Sequence, residues 1–345
     1  MLLRAPLGTL LLPLFLAFMR ADDAARYQIR RDSHRVKSQP YERYFTTDKF
    51  GRTITFYLSE LPKDAPAKLP LVVYIQGSGC QSNFGQRDGR IFPQNGHATV
   101  GDAVRGRARL LIVEKPGVKF LDTPQHPGGT EGASEEFLRE HTLDRWAEAV
   151  SAAMNAARSL PEIDASRTLV IGHSEGGLVA CKVAANNPFV THVASLAGGG
   201  PTQLFDLAEL ARAGKFAANI SDDPEVRAQS ILTEYAKIRA DPDSTTKMFL
   251  GHPYRRWSSF LGSSPMEELA STSARIYIAQ GGADDAVSPM SFHALRAQLV
   301  AKGKDVTADF VADADHSFSR AGDNRPPGAG WTDVIERVVA WYLGG

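Results

Sequence analysis

Gly172-His173-Ser174-Glu175-Gly176 sets a serine between two glycines, each two residues away. The segment joins an apolar run, Thr168–Gly172, to a helix-forming stretch that begins at Leu178. A serine hydroxyl is a weak nucleophile until a base takes its proton. A strand turning sharply into a helix would hold Ser174 exposed at the turn, with the free N–H groups of the helix start directed at a developing oxyanion. The glycines would let strand and helix pass without colliding Cβ atoms. The rival reading is a tight turn whose serine caps the helix.

Such a serine needs a scaffold, and the rest of the chain supplies one. Apolar, β-branched runs recur at Arg52–Ser59, Leu69–Gln76, Arg109–Glu114, Thr168–Gly172, Val190–Leu196, Arg275–Gln280 and Val306–Val311, with Tyr41–Thr47 as a further strand at the start. Several are apolar on consecutive residues, as expected of strands buried on both faces of a parallel sheet. Between them lie helical patterns. Leu143, Trp146, Ala147, Val150, Met154 and Ala157 form one apolar stripe that Pro161 ends, and Pro289–Lys302 and Trp331–Leu343 predict two later helices. The alternation predicts a doubly wound, mostly parallel α/β sheet. It breaks at residues 198–262, where Leu204–Arg212 and Pro224–Arg239 read as helices of an insert.

Composition narrows the function class. In 345 residues, 39 basic side chains cancel 39 acidic ones, with 43% hydrophobic and 23% charged, so a nucleic-acid partner is not expected. Cys80 and Cys181 are too few for a disulfide scaffold, and whether they pair is left open. Residues 1–21, with Arg4 before the apolar run Leu7–Phe18, read as a signal peptide, which predicts a secreted or periplasmic chain; an uncleaved anchor or a misassigned start are the alternatives. Residues 22–40, rich in Arg and Asp, read as a flexible leader. No other stretch is apolar enough to span a membrane.

The strand, Gly-x-Ser-x-Gly turn and helix together resemble the α/β-hydrolase superfamily. The likeness runs from residue 41 to 345 and leaves out the leader and the 198–262 insert, which is expected to form a helical cap. Pro161–Arg167 and the later Gly-x-x-Asp segment are similar to the prolyl oligopeptidase and dienelactone hydrolase branches. The resemblance implies an eight-stranded sheet and a Ser, acid, His order along the chain. It matches Asp284 of Gly281-Gly-Ala-Asp284-Asp285-Ala-Val287 to the acid, with Asp285 as rival. His316, on the loop after Val306–Val311, becomes the general base; His293 falls within a predicted helix. The backbone N–H groups of Ser78 and Glu175 become the oxyanion donors, with Gly79 an alternative to Ser78. Glu114–Gly117 is a candidate site-lining loop, and His173 is expected to pack beside the turn.

These expectations describe a serine hydrolase that cleaves a carboxylic ester through an acyl-enzyme intermediate, with no cofactor and no metal. A small ester or a short peptide would be the substrate. The alternatives are a prolyl oligopeptidase-like peptidase or amidase, and a non-catalytic binding protein on the same scaffold. The insert should cover the site, with Leu204, Leu207 and Leu210 on one apolar face and Ile231, Tyr235 and Ile238 on another turned to the pocket mouth.

Overall fold

The computed structural model describes residues 28–126 and 128–344. The expected signal peptide at residues 1–21 lies outside them. The chain begins with β1 (Arg30–Arg35), β2 (Tyr41–Thr47), β3 (Thr53–Ser59) and β4 (Leu69–Ile75), then a hairpin of β5 (Phe84–Arg87) and β6 (Arg90–Pro93). Next come α1 (His97–Val104), β7 (Arg109–Val113), α2 (Glu135–Glu140), α3 (Leu143–Arg158), β8 (Ile163–His173), α4 (Glu175–Asn186) and β9 (His192–Leu196). The 198–262 segment carries α5 (Gln203–Arg212), α6 (Pro224–Ala240), the short ladder of β10 (Met248–Phe249) and β11 (His252–Pro253), and α7 (Tyr254–Phe260). The chain closes with α8 (Pro265–Ser271), β12 (Arg275–Gly281), α9 (Pro289–Ala301), β13 (Val306–Val311) and α10 (Ala329–Gly344).

Among the described residues, nine strands form one sheet in the order β1-β2-β3-β7-β4-β8-β9-β12-β13. From β7 to β13 every pairing is parallel; β1, β2 and β3 extend the sheet antiparallel. The consecutive apolar residues now have a reason. Along β4, Leu71 and Val73 enter one core with Trp146 and Met154 of α3, while Val72 and Tyr74 enter the other with Val100 of α1 and Ile335 of α10. Alternate side chains point to opposite faces, and both faces are covered by helices.

Two expectations need correction. The sheet has nine strands, not eight, because residues 30–35 of the segment read as a flexible leader pair with β2. Their charges, which argue for disorder in a bare sequence, find partners across the strand. Arg31 pairs with Glu42, Arg43 Nε donates to Asp32 at 2.8 Å, and the Arg30 guanidinium lies 4.4 Å over the Phe45 ring. An edge strand can be charged because it borders water. Second, of the insert's two expected apolar faces only the one with Leu207 borders the cavity beside Ser174; Ile231, Tyr235 and Ile238 pack into the insert's own small core with Leu207, Ala211, Tyr254 and Trp257. Among the described residues no helix is long and apolar enough to cross a membrane.

The turn from β8 into α4 leaves no room for side chains. A Cβ at Gly172 would stand 1.8 Å from the Gly176 carbonyl oxygen, and one at Gly176 would stand 2.2 Å from that of Ile75. Because both obstacles are backbone, Gly172→Ala is expected to destabilise the fold by about 2 kcal/mol or more, at the upper end of overpacking costs. Urea unfolding checks it; a wild-type midpoint would mean that strand and helix can separate freely.

Candidate active site

Ser174 sits between β8 and α4 with φ 56° and ψ −125°, a backbone state that costs a non-glycine residue on the order of 1–3 kcal/mol. Neighbouring bonds hold it there. Its N–H donates to the Leu196 carbonyl at 2.9 Å, and its carbonyl accepts from Gly177 N–H at 2.8 Å. The serine does not cap the helix with its side chain.

The parallel strands deliver the remaining candidates to the same sheet edge. After β12, the Asp284 carboxylate is buried and its Oδ2 lies 2.9 Å from His316 Nδ1. Its Oδ1 accepts from the N–H groups of Ala286 and Val287 at 2.8 and 2.9 Å, and Gln280 Nε2 donates to Oδ2 at 2.6 Å. Burial alone would raise its pKa, but the His316 contact and the two N–H donors outweigh burial and hold the carboxyl below its ordinary value. Asp285, the rival acid, is exposed. Asp315 is spent on its own loop, where Oδ1 accepts from Ser317 and Ser319 N–H.

His173 has a defined task beside the turn. Its Nε2 lies 2.8 Å from the His316 carbonyl oxygen, and the two rings are 4.8 Å apart. Burial, reinforced by His316, lowers its pKa to about 4, so near neutral pH it is an uncharged donor that anchors the His316 backbone. Ser174 and His316 line one cavity of about 450 Å³ with Tyr74, Gln81, Asn95 and Trp331. On the other side of Ser174 a second cavity of about 390 Å³ is bordered by Leu178 and by insert residues Leu207, Arg256 and Trp257. The largest cavity, an open groove of about 950 Å³ on the insert, shares only Leu250 with that second cavity.

The loop after β4 runs against Ser174, and a Cβ at Gly77 would stand 3.4 Å from the Ser174 Cβ. Ser78 borders both cavities. Beneath lies a charged cluster, of which the sequence singled out Glu175 and the loop holding Lys115 but not His141 or Arg256. Glu175 is 2% exposed, and its carboxylate meets Lys115 Nζ at 2.8 Å, Arg256 Nη2 at 2.8 Å and His141 Nε2 at 2.9 Å. Burial would raise the Glu175 carboxyl, yet His141, Lys115 and Arg256 together hold it well below the usual carboxylate range. His141, lowered by burial to about 4, serves as a neutral donor, so the charges that matter are Lys115 and Arg256. Glu114, the other half of the suspected loop, turns away and accepts from Ser82 Oγ, Asn83 and Tyr57. Nothing in the sequence around Arg256 or His141 marks them. Cys80 and Cys181 are both buried and free.

Residues 16–197, just over half of the chain, match the model of the acetyl xylan esterase (AXE1) family. The chain belongs to that family. Membership places it among serine carboxylic ester hydrolases, and the matched residues include Ser174 but end before Asp284 and His316. Solved structures agree on the fold. Est1E from Butyrivibrio proteoclasticus, solved with ferulic acid bound, is 18% identical over 87% of this chain and 99% of its own, with TM-score 0.56. Acetyl xylan esterase 1 from Thermoanaerobacterium sp. JW/SL YS485 is 15% identical over 94% of this chain and 92% of its own, with TM-score 0.53. Porphyromonas gingivalis dipeptidyl peptidase 4 is 15% identical over 89% of this chain, at TM-score 0.56, but this chain spans only 36% of that peptidase. No curated relative matches by sequence.

Two predictions come from this esterase-family site. Asp284→Asn is expected to lower turnover by about 10⁴ by removing the carboxylate that orients His316, while Asp285→Asn leaves it within about threefold. Steady-state assays of both variants check it, and the reverse order would mean that the acid is misassigned.

Asp206 gives the second. Burial, with a push from the charge of Asp284, raises its carboxyl to about 7, and Ser291 Oγ donates to it. An unfolded Asp titrates near ~3.9. Between those values the folded chain holds a proton that the unfolded chain has lost, so this group's contribution to stability falls as pH rises through the window and is level above about 7. Asp206→Asn should flatten that part of the profile in thermal melts; equal slopes in both proteins would contradict it.

Proposed function

We propose that this chain hydrolyses a carboxylic ester with Ser174 as nucleophile, His316 as general base and acid, and Asp284 as the carboxylate that orients the imidazole. The observation that carries this reading is the 2.9 Å contact from buried Asp284 to His316 Nδ1, with His316 sharing a cavity with a serine held at φ 56°. Ser174 Oγ attacks the ester carbonyl carbon as its proton passes to His316. The resulting oxyanion accepts from the N–H groups of Ser78 and Glu175. Collapse breaks the bond to the alcohol oxygen, which leaves with the proton from His316, and Ser174 is acylated. Water, deprotonated by His316, then attacks the acyl carbon, and the second collapse releases the carboxylic acid and restores the serine.

The two cavities divide the substrate by this chemistry. The leaving alcohol needs its proton from His316, which assigns it to the cavity with Gln81, Asn95 and Trp331. The acyl group then turns to the cavity under the insert, against Leu178, Leu207 and Trp257, so residues 198–262 act as a cap and an acyl wall. Export, carried by the apolar run Leu7–Phe18, completes the reading.

Fluorophosphonate labelling, with p-nitrophenyl esters of graded acyl length set against aminoacyl-p-nitroanilides, tests the proposal. The wild type is expected to label at Ser174 and to prefer esters. Ser174→Ala should lose labelling and about 10⁴ to 10⁶ in rate while keeping its melting profile. Leu207→Ser should shift acyl-length preference. Labelling at another serine, or a preference for anilides, would overturn the reading.

A further inference from the structure

Lys115 lies just past the end of β7, is 1% exposed, and does not line the cavities that hold Ser174. Its Nζ donates to the Gly77 carbonyl at 2.7 Å, the Gly79 carbonyl at 3.1 Å and Glu175 Oε1 at 2.8 Å. Three acceptors around one nitrogen require all three protons of an ammonium. Two of those acceptors flank Ser78. The Gly77 carbonyl and the Ser78 N–H are opposite ends of one planar peptide unit, so fixing the first fixes the direction of the second. A cation on the carbonyl also draws electron density from that N–H and makes it a stronger donor.

The rest of the cluster bears on this ammonium in two directions. Burial lowers the Lys115 pKa and the charge of Arg256 adds to that, while Glu175, whose own N–H is the second oxyanion donor, opposes both with its carboxylate. Arg256 of α7 shares that carboxylate through Nη2 at 2.8 Å and Nε at 3.2 Å, and reaches Gln203 Oε1 at 3.2 Å. One carboxylate faces two cations, with His141 as a neutral donor, so the cluster carries net positive charge behind the oxyanion donors. In a site screened from water such a charge acts strongly on a developing anion.

We propose that Lys115 is a positioning residue for the transition state: its ammonium aligns and polarises the Gly77–Ser78 peptide so that the Ser78 N–H meets the oxyanion. This inference rests on the acyl-enzyme reading given above. It assigns Lys115 to the reaction's charged state and not to substrate binding, so its effect belongs in kcat and not in KM.

Lys115→Met, Lys115→Gln and Lys115→Arg, assayed with p-nitrophenyl acetate and with a trifluoromethyl ketone that forms an oxyanion adduct on serine, provide the test. The neutral variants should lose about 10- to 100-fold in kcat with KM within about threefold, below the 10²–10³ typical of deleting a donor outright. Ketone affinity should weaken by the same factor as kcat, and Lys115→Arg should recover part of both. Wild-type labelling is mapped first: a label away from Ser174 would remove the acyl-enzyme reading itself. With Ser174 labelled, a folded neutral variant that keeps wild-type kcat and ketone affinity would overturn only the role of Lys115. If neither neutral variant folds, Lys115 belongs to the fold and the inference fails as well.

Discussion

The close passage of β8 and α4 at Ser174 is the constraint on which the rest of the site depends. Strand and helix meet backbone to backbone, with glycine on either side because any Cβ would enter a carbonyl oxygen. That contact holds the serine in its positive-φ backbone state. In the proposed reaction, the first N–H of α4 meets the negative charge that develops there. Strain of this kind survives only where surrounding structure over-determines it, and here the bonds to Leu196 and Gly177 do so.

Around this turn the protein holds two buried carboxylates in different ways. Asp284 stays charged, its carboxylate held by backbone N–H groups, an amide and a histidine, which leaves it free to orient one ring. Glu175 is neutralised by full cations from β7's end and from α7. Removing one partner of such a buried pair costs about 3–5 kcal/mol, because the remaining charge is stranded away from water. The Glu175 cluster therefore ties three separate chain segments to the loop after β4, and it does so at the floor of the cavity beneath the insert.

The insert has a double character. Its internal core makes it a folded unit with packing of its own, while Leu207 and Trp257 belong both to that core and to the lining of the cavity beside Ser174. Arg256, on the same short helix as Trp257, couples this unit electrostatically to Glu175, the residue after Ser174. A change within the insert can thus reach the reaction centre by packing or by charge.

The sheet, its helices and the chemical residues were legible in the chain because each has a local signature. Buried parallel strands read as unbroken apolar runs, α3 reads as a stripe at spacings of three and four, and Ser174 stands in a glycine frame that sterics demand. Asp284 and His316 follow strands, and the resemblance to α/β hydrolases proposed them by their order along the chain; the tertiary structure sets them 2.9 Å apart. Charge reads poorly in one dimension. The Arg-rich residues 30–35 resembled a solvated leader until β2 offered cross-strand partners, and nothing along the chain marked His141 or Arg256 as companions of Glu175 or of the loop that holds Lys115 until the fold buried all four together. A buried ion is tolerated only beside its counterion. That partnership spans 60 residues from Lys115 to Glu175 and 81 from Glu175 to Arg256, distances over which the sequence carries no pairing rule and only the folded chain decides.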